Sequence, residues 1–108
     1  KALAMNPDYF PANLKLGEYY LGEKQYADAG AAFTRLTKIR PDSPVGYYWL
    51  AYADALQNQK EKAATDLKAA VAMDTDFKVL RGSSKLENLR SQAGFVALME
   101  QYFPEWKR

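Results

Sequence analysis

The sequence contains no histidine and no cysteine, and those two absences remove much of enzyme chemistry at once. Without histidine there is no side chain whose ordinary pKa makes it a general base near neutral pH. Without cysteine there is no thiolate nucleophile, no thiolate metal ligand and no disulfide. Ser/His, Cys/His and His-ligated metal sites are therefore excluded within this chain. Glycines are few, and none falls at the dinucleotide or phosphate-loop spacings. The Asp74, Asp76 pair lacks the further oxygen ligands and bidentate Glu of a calcium loop, so it reads as helix-end and turn aspartates. No catalytic, cofactor or metal site is expected, since an enzyme here would have to work with carboxylates, lysines and tyrosines alone.

Long apolar runs are also missing: nothing approaches the roughly 20 residues that span a bilayer, and the amino end shows no signal pattern. Membrane insertion is not expected. The chain starts at Lys1 rather than Met, so its natural amino terminus is expected to lie further upstream, and the compartment stays undecided. Positive charge is in slight excess, +2 net, but Lys15, Lys24, Arg35, Lys60, Lys78 and Arg90 are scattered. Lys107 and Arg108 alone do not make a polybasic tail. Phosphate backbones bind concentrated stripes of charge, so nucleic acid is not an expected partner.

What the chain does have is a period. Pro7-Asp8 and Pro41-Asp42 lie 34 residues apart, and the next equal step lands on Thr75-Asp76. Between the first two marks stand Leu16-Gly17, Tyr20, Ala29, Phe33, Leu36 and Pro41. These residues at these offsets resemble the tetratricopeptide repeat. One step on, Leu50-Ala51, Asp54, Ala63, Leu67, Ala70 and Thr75 make a weaker copy that has lost Gly, Tyr and Pro. The resemblance implies an all-α, right-handed solenoid of helical hairpins, with about two repeats followed by a C-terminal capping helical segment. The corresponding division is 1–9, the end of a preceding repeat marked by Ala2 and Pro7; 10–43 and 44–77, the two repeats; and 78–108, the cap.

Local signals agree with that division. Pro11 suits a first helical turn, and a helix is expected over 11–22, with Gly22-Glu23-Lys24 as the turn. Tyr26, Ala29, Phe33 and Leu36 recur at intervals of three and four in a second helix, 25–39. Gly17 and Gly30 within helices call for close helix contact, because each costs about 1 kcal/mol relative to alanine. Ser43 followed by Pro44 is a strong start for a third helix, 44–57, and the fourth is expected over 60–73. A third repeat would need small and apolar residues where Ser84, Lys85 and Asn88 stand, so the repeat ends. Beyond Gly82, Ser84 and Glu87 form a candidate capping box. Ser91 is the candidate cap of a last helix, 92–103, whose Phe95, Leu98, Met99 and Tyr102 share one face. Such a helix can cover the open end of a stack.

For function, the eight tyrosines are the richest feature. Tyr20, Tyr26 and Tyr47 hold repeat positions that pack between helices. Tyr48 and Tyr52, with Leu14 and Glu18 one repeat earlier, hold the face that lines the concave groove in this family. These four residues are the candidate partner-binding surface, since tyrosine offers a large contact area with a polar end. The competing reading packs Tyr48 and Tyr52 on an adjacent helix or on the C-terminal tail. A clamp for a peptide C-terminal carboxylate, built from Lys and Asn in this groove, is not expected, and a peptide would be held by apolar and aromatic contacts with one basic residue at Glu18. Trp49 belongs to the core or the groove rim, and Trp106 docks on its own domain or on a neighbour. The chain is thus read as a non-catalytic protein-interaction module that binds a protein or peptide segment. Structural spacing, self-association into a homodimer, or service as an accessory domain of an enzyme are the alternatives. On the first reading, Tyr52→Ala weakens partner binding and leaves thermal stability nearly unchanged.

Overall fold

The computed structural model describes residues 9–107, and among these the protein is all-helical, with no strand. Four helices come first: α1 (Phe10–Gly22), α2 (Tyr26–Ile39), α3 (Pro44–Leu56) and α4 (Lys60–Ala72). Each of the first three packs along the one that follows it. Three shorter helices complete the chain: α5 (Lys78–Gly82), α6 (Glu87–Arg90) and α7 (Ala93–Tyr102), with single 3₁₀ turns at Thr75–Phe77, Ser84–Leu86 and Pro104–Lys107. The preceding-repeat segment expected on Ala2 and Pro7 lies outside the described residues.

The turns from α1 to α2 and from α3 to α4 are copies of each other. After α1, Lys24 adopts a left-handed φ of 60°, and after α3 Asn58, 34 positions on, adopts the same φ of 60°. In the first turn the amide of Lys24 donates to Leu21 O at 3.1 Å and that of Gln25 to Tyr20 O at 2.9 Å. In the second, Asn58 donates to Ala55 O at 3.1 Å and Gln59 to Asp54 O at 2.9 Å. Both satisfy the last helical carbonyls by a 6→1 and 5→2 pair around one left-handed residue. The 34-residue spacing read from the sequence therefore separates two turns with the same pair of backbone bonds.

Packing explains why the two copies differ in side chains. A Cβ added at Gly17 would fall within the Phe33 ring, with its Cζ only 2.6 Å away. One step on, the same pair is Ala51 and Leu67, both fully buried. A methyl group gained on one helix is matched by an aromatic ring lost from its partner. Gly30 has a milder reason, since an added Cβ would meet only the end of the Gln57 side chain at 3.0 Å. Phe33 stacks on Trp49, centroids 5.2 Å apart and planes at 28°, which places Trp49 in the core rather than on a rim.

Helix starts follow the sequence in part. Ser43 Oγ accepts from the Val45 amide at 3.4 Å, the expected cap of α3. In the tail it is Ser83, not Ser84, whose hydroxyl caps a turn, accepting from the Lys85 amide at 3.2 Å. Ser91 does not cap α7, which starts after Gln92 without a side-chain cap; its hydroxyl instead donates to Asn88 O at 2.7 Å.

Candidate functional site

The chain reverses out of α4 at Asp74, a buried residue that organises everything after it. Its Oδ1 accepts from the Val79 amide at 2.8 Å, while Oδ2 accepts from the Leu80 amide at 2.9 Å and from the Tyr48 hydroxyl at 2.8 Å. One carboxylate thus satisfies two amides at the start of α5 and fixes that start to α3. Between them Asp76 and Phe77 both take left-handed φ, 56° and 57°. For a bulky residue such as Phe77 that conformation is costly. It is held by a T-shaped contact with Phe103 and by the Arg81 guanidinium 5.7 Å above the ring.

From there the tail lies across the face of α3. Phe95 of α7 meets Tyr48 edge-on, with centroids 6.2 Å apart, and meets Tyr52 in the same way at 6.4 Å. The Tyr52 hydroxyl donates to Gln92 Oε1 at 3.3 Å, and Trp49 Nε1–H donates to Lys85 O at 3.1 Å. Arg90 binds the tail to itself by donating to Leu80 O and Ser83 O. Arg81 does the same toward the C-terminus by donating to Trp106 O, and Trp106 is buried against its own domain. Leu80, Leu86, Leu89, Phe95 and Met99 have no exposed surface. The tail is a wall of the core.

This settles where the four predicted site residues stand. Tyr48 is fully buried, Tyr52 is 8% exposed and Leu14 is 6% exposed. The expected open tyrosine surface is therefore covered by the chain's own tail, the competing arrangement for these two residues. Burial, with the Asp74 carboxylate accepting from and lying beside the phenol, holds Tyr48 protonated well above the ordinary tyrosine range. Tyr52 is raised too, by burial and then by Tyr26 nearby. Glu18 remains half-exposed, but its Oε1 already accepts from Asn88 Nδ2 at 2.7 Å. A basic partner residue at Glu18 would have to compete with that bond.

What is left open is a slot between α1 and residues 83–92. It consists of three half-open cavities in a row, of about 590, 220 and 430 Å³. The first and second share Pro11 and Lys85, and the second and third share Glu18 and Asn88. Leu14 and Tyr52 lie in the floor; Lys15 and Glu18 of α1 form one wall, and Ser84, Asn88 and Gln92 of the tail form the other. Amides and hydroxyls along one wall over an apolar floor are suited to pairing with a peptide backbone. Glu18, Tyr52 and Leu14 thus meet in one slot, whereas Tyr48 lies beneath the tail. Lys15 could have been found in the sequence, because it follows Leu14 and precedes Glu18 by three on the same helix face. Lys85, Asn88 and Gln92 carried no such signal, since they fall after the period has ended.

A second buried polar cluster lies on the α3–α4 hairpin. Asp54, 1% exposed, accepts from Lys62 Nζ at 3.0 Å, and the same ammonium reaches Asp66 at 3.5 Å. Burial, and then the neighbouring Asp66 carboxyl, push Asp54 up to about 7 against the opposing pull of Lys62. Burial acts to lower Lys62, but Asp54 and then Asp66 outweigh it, and the ammonium is raised overall.

Among the described residues no group of three or more carboxylates is placed to hold a metal ion, and no helix is long and apolar enough to cross a membrane. Comparison with protein-family models, with curated proteins and with solved structures gives no match for this chain.

Proposed function

We propose that this chain is a non-catalytic interaction module of tetratricopeptide-like architecture, a short solenoid whose concave side holds an extended peptide segment of a protein partner. The observation that carries the reading is the row of cavities between α1 and residues 83–92, crossed once by the Glu18–Asn88 hydrogen bond, with its apolar floor and its uncharged hydrogen-bonding side chains along the tail. The bond-for-bond identity of the two turns supports the repeat assignment. The lack of histidine and cysteine supports a binding role over a catalytic one. Tyr52 then contributes to the slot floor, and the tail supplies half of the binding surface.

The test is partner capture from lysate by the intact chain and by a variant with the slot obstructed at exposed wall positions, Ser84→Arg with Ser91→Arg. Partners that the parent retains and the obstructed variant loses support the reading. An identical set of partners for both proteins contradicts it.

A second reading, stacking or self-association through α1, rests on a different observation. On α3 the residues Gly46, Leu50, Ala53 and Asp54 are all buried. Their counterparts on α1, Ala12, Leu16, Tyr19 and Tyr20, are only partly covered, and Tyr19 is 60% exposed. Sedimentation of the chain beside Leu16→Lys and Tyr19→Lys variants tests it: a dimer that these variants dissociate supports self-association, and a concentration-independent monomer contradicts it.

A further inference from the structure

We infer that the middle of the slot is a subsite for an acidic side chain, an Asp or Glu within an extended peptide, held between Lys15 and Lys85. The inference rests on the peptide-slot reading and gives it a ligand chemistry. Lys15 projects from the second turn of α1, and Lys85 from the facing tail; both line the same cavity of about 220 Å³. Both side chains are exposed, and neither has a carboxylate partner within 4.0 Å among the described residues, where the ion pairs belong to Lys62.

Lys85 is also fixed in place. Its amide donates to Ser83 Oγ at 3.2 Å and its carbonyl accepts from Trp49 Nε1 at 3.1 Å, so its backbone is tied on both sides over the core. Lys15 stands on a helix, next to buried Leu14. Two cations on fixed backbones facing one cavity attract a carboxylate with little reorganisation. The remaining charges of the slot cancel, Lys24 and Arg40 at its ends against Asp42 and Glu18, so its excess is that of Lys15 and Lys85; Glu18 lines the same cavity as these two, with its Oε1 engaged by Asn88. The carboxylate of the ligand would thus meet a locally basic stretch and complete its missing ion pairs. Lys85 belongs to the tail, so the subsite exists only because the tail closes one side of the slot.

The experiment uses the intact chain immobilised on resin and three peptide libraries, acetylated and amidated at their ends, with Glu, Gln or Lys fixed at the centre of otherwise random sequence. End capping removes the terminal carboxylate as a competing anion. The Glu library should be retained about threefold to fivefold over the Gln library, in the range of partly exposed ion pairs, with the preference fading as salt is added. In the Lys15→Glu, Lys85→Glu double variant, checked for unchanged helicity, the preference should pass to the Lys library. Equal retention of Glu and Gln libraries by the parent, or an unchanged preference in the double variant, overturns the acidic subsite and leaves the peptide slot standing. Retention of none of the libraries overturns both.

Discussion

The hydroxyl of Tyr48 donates to Asp74 Oδ2 at 2.8 Å across 26 residues, with both side chains buried. That bond fastens the start of the tail to the third helix, and it turns the face expected to receive a partner into an internal packing surface. A hydrogen bond to a charged group contributes about 1.5–3 kcal/mol, and removing its acceptor also leaves the Val79 and Leu80 amides without a partner. Tyr48→Phe should therefore lower unfolding free energy by about 1.5–3 kcal/mol, and Asp74→Ala by more, in urea denaturation followed by circular dichroism.

The same bond gives an alkaline signature. An unfolded tyrosine ionises near pH 10, whereas folded Tyr48 is held protonated beyond that by burial and by Asp74. Its contribution to stability is whole below about pH 10 and is lost as the pH rises further, because the unfolded state alone releases the proton. Stability measured from pH 8 to 11 should fall at the upper end, and Tyr48→Phe should make that fall shallower.

Asp54 follows the same rule in an acid window. Its carboxyl is raised from 3.8 to about 7, first by burial and then by Asp66. The proton is bound more tightly in the folded state, so the stabilising contribution is complete below pH 4 and drains away as pH rises toward 7. Asp54→Asn should flatten the stability profile between those values, read as midpoint denaturant concentration against pH. A profile as steep as the parent's would place the titration elsewhere.

The Gly17/Phe33 and Ala51/Leu67 pairs allow one helix pair to be rewritten as the other. Gly17→Ala alone overlaps the Phe33 ring and should cost about 1–3 kcal/mol, the usual range for overpacking. Adding Phe33→Leu should recover part of that loss, since α3 and α4 pack the same two residue types, Ala51 and Leu67, without exposed surface. A double variant no more stable than the sum of the two single losses would contradict the steric account.

Burial also replaces the expectation for Tyr52→Ala. With the ring 8% exposed and edge-on to Phe95, truncation removes core contact as well as slot floor. Stability should drop by about 3–5 kcal/mol for Phe95→Ala and by a comparable amount for Tyr52→Ala, so neither variant tests partner binding cleanly. Lys15, Ser84 and Lys85 are better probes because they are exposed.

Much of this architecture was legible in the sequence. The 34-residue marks, the Pro11 and Ser43-Pro44 starts and the three-and-four spacing of Ala29, Phe33 and Leu36 are local signals, and the helices fall within one residue of where those signals place them. The tail was less legible. Ser84 and Ser91 are good caps by sequence, but Ser83 caps the turn before Lys85 and the last helix starts without a side-chain cap. The site was least legible, because the position of Phe95 over Tyr48 and Tyr52 is set by docking across some forty residues of chain, which leaves no periodic trace. The slot is what that docking leaves uncovered.

The most direct test of this account is a nuclear Overhauser spectrum of the intact chain with labelled aromatic rings. Ring protons of Phe95 should show cross-peaks to those of both Tyr48 and Tyr52, in keeping with centroid separations of 6.2 and 6.4 Å. Tyrosine rings without a Phe95 cross-peak and open to a soluble paramagnetic probe would contradict it, returning this face of α3 to the solvent.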